Sequence, residues 1–218
     1  MREAYTDQLD SIFSDLVSIA RRVQRAVHDA TESLLTGNVG LAEQVITRDA
    51  IIDVARERVE DRAFSLLSLQ QPVAGDLRTI VAALRMVTEL ERMGDLAGHV
   101  AKVARLRVPG VAVPASAEPT IRRMAEVAEL MVDRAAGIIE NRDVEGAADL
   151  RKADEEMDDL RRNSFRELLA NDWQHGVEAA VDVALLGRYY ERIADHAVST
   201  ANRVIFVVTG EHPPKRAH

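Results

Sequence analysis

Hydrophobic positions recur every three or four residues along almost the whole chain. Phe13, Leu16, Val17, Ala20, Val23, Val27, Ala30 and Leu34 hold that spacing without a break, which predicts one long amphipathic helix. Thr36-Gly37-Asn38 is its stop signal, with glycine where the left-handed end of a helix needs it. A second helix is expected from about Leu41 to Leu69, broken by Gln70-Gln71-Pro72. A third runs from about Gly75 to Arg105, with Leu77, Ile80, Val81, Leu84 and Val87 on its apolar side.

Val108-Pro109-Gly110 to Val113-Pro114 is the proline-dense stretch between these helices and the next set, and reads as a linker. Ser116 to Pro119 looks like the cap and first turn of a fourth helix ending near Asn141. A fifth is expected from about Val144 to Leu169 and a sixth from about Gly176 to Val208, before Glu211-His212-Pro213-Pro214. The expected plan is all-α: two tandem three-helix bundles over 1–108 and 119–210, a linker at 109–118 and a loose tail at 211–218.

The halves share residues as well as pattern. Ala83-Leu84 followed by Glu91-Arg92-Met93-Gly94-Asp95-Leu96-Ala97 in the third helix is matched by Ala184-Leu185 and Glu191-Arg192-Ile193-Ala194-Asp195-His196-Ala197 in the sixth. Asp49-Ala50-Ile51-Ile52-Asp53 aligns with Asp154-Glu155-Glu156-Met157-Asp158, each followed by an arginine, Arg56 or Arg161. Duplication of one bundle, with a pseudo-twofold relation, is the economical explanation.

Composition narrows the function. The net charge of -8 argues against nucleic acid as the main partner, because phosphate backbones need a basic face. The absence of cysteine excludes disulfides and thiolate-held metals. No signal peptide opens the chain, and the apolar run from Val204 to Val208 is too short to span a bilayer, so direct membrane insertion is not expected. Glycine-rich phosphate loops, nucleophile motifs and His-Glu-x-x-His are missing, so no catalytic residues are assigned and the chain does not read as an enzyme.

Candidate chemistry lies in the paired acids. Asp49 and Asp53, Glu91 and Asp95, Asp154 and Asp158, and Glu191 and Asp195 each stand four residues apart, on one helix face. Such pairs repel by a few tenths of a kcal/mol unless a cation joins them. Carboxylates on neighbouring helices suit hard cations through oxygen. Chance alone gives about six such pairs in a helical chain of this acidity, so the weight rests on their matched placement in both halves. The competing explanation is a solvated face paired with Arg92 and Arg192. His99 extends the Glu91–Asp95 face but has Ser199 opposite it in the other half. It reads, with His28, His175 and His196, as a surface or internally satisfied histidine. Gly94, matched by Ala194, points to close helix approach.

With its duplicated plan and the Glu91–Asp95 and Glu191–Asp195 motifs, the chain resembles the PhoU family from about Asp7 to Val208. The resemblance implies a cytoplasmic regulator of phosphate homeostasis that commonly forms homodimers. It implies an adaptor between the ATPase subunit of a phosphate ABC transporter and a sensor histidine kinase, restraining phosphate uptake and the starvation response when phosphate is plentiful. It also implies that the four acid pairs bind divalent or ferric ions: iron, zinc, magnesium or manganese. The residues alone leave two other readings: a carboxylate-bridged helical metalloprotein and a structural helical interaction module.

Overall fold

The computed structural model describes residues 2–70, 72, 74–171 and 173–211. The tail expected at 211–218 lies outside them except for Glu211. Six helices follow one another: α1 (Arg2–Thr36), α2 (Val39–Gln70), α3 (Gly75–Leu106), α4 (Glu118–Asn141), α5 (Val144–Leu168) and α6 (Gly176–Thr209). No strand occurs among the described residues.

The turns follow from local chemistry. Gly37 takes φ 67°, a left-handed geometry that a side chain resists. Asn38 then caps α2, its Oδ1 accepting from the Leu41 amide at 3.1 Å. The second half repeats this turn with Arg142 at φ 50° and Asp143 as cap, accepting from the Gly146 amide at 2.9 Å. Arg142 is held in that unfavourable conformation by Asp10 at 2.6 Å and by the Phe13 ring, 4.8 Å from its guanidinium carbon. Gly210, at φ 80°, ends α6.

Helices α1, α3, α6 and α4 form a closed inner ring, each packing on the next. Helix α2 leans on α1 and α3, and α5 on α4 and α6. Ile12, Leu16, Ile19, Val23 and Val27 of α1 share one continuous core with Ile121, Met124, Ala128 and Val132 of α4. The three-helix halves are thus fused side by side. Ion pairs Asp10–Arg142 and Arg21–Asp133 show that α1 and α4 run antiparallel. Glu89–His196 and Arg107–Asp182 show the same for α3 and α6. A twofold between two up-down-up bundles produces both pairings.

The connection between halves is packed in place. Ala112, Val113 and Ala117 are buried, and Arg107 grips Asp182 through Nε at 2.5 Å and also reaches Glu178. Among the described residues, no helix is long and apolar enough to cross a membrane.

Candidate functional site: an acidic seam in each half

In the first half, α2 and α3 approach closely because α3 carries glycine at the crossing. A Cβ placed on Gly94 would stand 2.9 Å from Ile52 Cδ1 and 3.5 Å from Asp49 Oδ1; one on Gly98 would stand 3.8 Å from Asp49 Oδ2. Ile52 therefore fills the space a side chain at Gly94 would need, and the Asp49 carboxylate lies alongside Gly94 and Gly98. Burial pushes Asp49 above the ordinary carboxylate range, and Asp95 and Asp53 add to the push against the pull of Lys102 and His99. Glu91 is raised for the same reasons, by burial and then Asp95, with Arg56 opposing and Asp53 adding. Asp49, Asp53, Glu91 and Asp95 thus form one electrostatic unit across the α2–α3 seam. As arranged, no three acid or histidine side chains converge tightly enough to hold an ion among the described residues.

Arg56 lies beside this unit but commits elsewhere. It bonds both oxygens of Glu60, one turn on, at 2.9 and 2.8 Å. Lys102, His99, Arg56 and Arg92 act on Asp49 and Glu91 only through space and do not offset the burial and repulsion that raise them.

The second seam is built differently. Glu191 is 6% exposed, and Arg161 of α5 reaches it at 3.0 Å while Arg188 grips its other oxygen from one turn back. Burial, aided by Asp195, still outweighs the two cations and holds the Glu191 carboxyl above its usual range. Two residues accompany the contrast, the first being Phe165, which stands where the first half has Glu60. Arg161 therefore has no carboxylate one turn on; its guanidinium carbon lies 5.7 Å from the Phe165 ring centre, and the group turns to Glu191. Arg188 replaces Thr88 and completes the clamp. Asp154 is buried, Asp158 half-buried and Asp195 exposed, each with partners of its own.

Pairing with the adjacent Arg192, the competing expectation for these acids, is not how Glu191 is neutralised. Its cations come from the next helix and the preceding turn, a choice that i-to-i+1 adjacency cannot make because neighbours face different ways. Comparing the residue one turn beyond Arg56 and Arg161 was the sequence signal that would have found it. Three histidines find partners: His28 faces Glu129 at 3.2 Å, His175 meets Ser116 at 2.9 Å, and His196 meets Glu89 through Nδ1 at 2.6 Å while its buried Nε2 has no hydrogen-bond partner among the described residues. His99 stacks at 5.4 Å on Tyr189. The Gly94 expectation also holds, since Ile52 fills the space its side chain would need.

A family model described as the PhoU domain matches this chain twice, over residues 16–104 and 121–204. The phosphate-specific transport system accessory protein PhoU homolog 2 of Mycobacterium tuberculosis is 46% identical over 213 residues, covering 98% of this chain and 100% of that protein. Homolog 1 of Mycobacterium leprae is also 46% identical, covering 98% and 96%. The homologue of Rhizobium meliloti is 28% identical, covering 96% and 89%. Among solved structures, PhoU from Pseudomonas aeruginosa superposes with a TM-score of 0.86 at 27% identity, covering 95% of this chain and all of that one. PhoU from Streptococcus pneumoniae gives 0.87 at 20% identity, covering 97% and 100%, a likeness of fold alone. Two matched domains and near-complete coverage at this identity place the chain in the PhoU family.

Proposed function

We infer that this protein is an accessory regulator of phosphate transport that works by occupying surfaces on other proteins. The observation that carries the reading is 46% identity across 98% of the chain to proteins named as phosphate-specific transport accessory proteins. The finer reading makes the partners the transporter's ATPase subunit and a sensor histidine kinase, bound from the cytoplasmic side by a homodimer. Phosphate supply then acts by changing which complex is populated, which requires different affinity for the two states. Long helical faces and the fused bundles support docking. The reading is of a non-enzymatic role.

The acid seams bear on regulation. Asp49, Asp53, Glu91 and Asp95 supply only oxygen donors, the donor chemistry that suits a divalent or ferric ion. When bound, such an ion would neutralise the seam and tie α2 to α3. The second seam fits an ion poorly as it stands, because Arg161 and Arg188 already occupy Glu191. Metal control of docking is therefore proposed for the first half.

Deletion of every copy of the gene tests the regulatory reading. Phosphate-starvation genes should stay expressed in rich phosphate. Normal repression in that strain would defeat it.

A further inference from the structure

A groove of about 220 Å³ lies between α1 and α2 of the first half, behind the acidic seam. Its floor is apolar: Ala26, Val45, Ile51 and Ile52. Ile51 is 47% exposed, a large apolar side chain left open to water. Arg22, Arg25 and Arg48 line the same groove. Arg48 is partly answered by Asp29 at 3.6 Å. Arg22 and Arg25 are exposed and make no ion pair among the described residues. The remaining acid of the groove, Asp49, has its oxygens toward Gly94 and Gly98 of α3.

The duplicated fold does not need this arrangement. Aligning Asn38 with Asp143 and Asp49 with Asp154 puts Val127, Leu130 and Ala153 at the positions of Arg22, Arg25 and Arg48. It also puts Glu156 at the position of exposed Ile51. The second half thus has apolar residues at the three basic positions and an acid at the apolar one. An open apolar floor beside Arg22 and Arg25, which make no ion pair among the described residues, on a chain of net charge -8, is a local reversal of the protein's surface character.

We propose that the α1–α2 groove docks an acidic amphipathic segment of a partner protein, its apolar side chains seated on Ile51, Ile52, Val45 and Ala26 and its carboxylates on Arg22, Arg25 and Arg48. The proposal rests on the adaptor reading above and specifies one of its docking surfaces. A small anion alone would use the arginines and leave the floor wet. An amphipathic helix uses both, with anchors spaced three and four residues apart. The charges set partner choice and encounter, and the apolar anchors supply most of the hold.

The test uses the full chain with methyl-labelled isoleucine, valine and alanine. The probes are a synthetic helical peptide with a leucine stripe flanked by glutamates, the same peptide with lysines for glutamates, and inorganic phosphate. The glutamate peptide should shift the Ile51, Ile52 and Val45 methyl signals, and the triple variant R22E/R25E/R48E should bind it at least tenfold more weakly at an unchanged melting temperature. The single variant Arg25→Glu, should the triple variant melt early, should still weaken binding several-fold. Equal binding of both peptides would reduce the groove to nonspecific apolar contact and overturn the proposal. So would shifts from phosphate alone, no binding of the glutamate peptide, or a change of oligomeric state in place of peptide affinity. These outcomes are separate from the deletion phenotype, which bears on the adaptor reading itself.

Discussion

The two acidic seams start from nearly the same residues and pair with arginine differently. In the first, burial and the neighbouring acids raise Asp49 and Glu91, and the nearby Arg56 is held by Glu60. In the second, Phe165 replaces that glutamate, and Arg161 joins Arg188 on Glu191. Two substitutions, Phe165 for Glu60 and Arg188 for Thr88, go with the change from an arginine held outside the seam to a pair of arginines on its glutamate. The first half thus carries an acid cluster without a direct arginine bond to Glu91, and the second an arginine-clamped Glu191.

The sharpest way to break this comparison is to remove the clamp. Replacing Arg161 and Arg188 by alanine leaves the nearly buried Glu191 without a counter-charge and should cost about 3 kcal/mol in urea unfolding. Adding Glu191→Gln should recover most of that loss. In the first half, Arg56→Ala breaks only a partly exposed pair and should cost about 0.5 kcal/mol. Equal losses in the two halves would remove the distinction.

Metal should act on one half. A divalent ion in hundredfold excess over its Kd would add about 2.7 kcal/mol of stability by mass action, read as a rise in melting temperature. The rise should vanish in D49A/E91A/D95A and survive in E191Q/D195N. No rise in the wild-type protein, or loss in both variants, would count against a first-half site.

Next in size is the close approach at Gly94. Gly94→Val must displace Ile52, whose Cδ1 already stands 2.9 Å from an ideal Cβ there, and should cost about 2 kcal/mol. Ile52→Ala added to it should be less harmful than in the wild-type background. The second half carries Ala194 and Met157 at the equivalent positions, a small side chain beside a more adaptable one.

The smallest effect is that of pH. Raised carboxyl pKa values mean that the folded chain binds more protons than the unfolded chain between the ordinary carboxylate range and the raised values. Stability from Asp49 and Glu91 should therefore increase as pH falls through that window and be lost as pH rises. Glu91→Gln should stabilise by a few tenths of a kcal/mol at neutral pH, with the difference closing in acid.

Much of this was legible in the sequence. The three-and-four spacing marked all six helices, and Gly37-Asn38 and Pro119 marked ends whose geometry the chain adopts. The repeated acid pairs located both seams. What escaped was partner choice across helices. Whether Arg161 meets Glu191, or Glu89 meets His196, depends on the rotation and height of two separate helices, which periodicity leaves open. The burial of Ala112 and Val113 in the connecting segment was hidden likewise, since short apolar residues among prolines look the same in a tether as in a packed strap.

The most direct measurement is complementation of a strain lacking every copy of the gene, with starvation-gene expression read in rich phosphate. The account predicts that the wild-type chain and E191Q/D195N restore repression, and that D49A/D53A/E91A/D95A, folded and present at equal level, does not. Repression restored by the first-half variant and lost in the second-half one would contradict it.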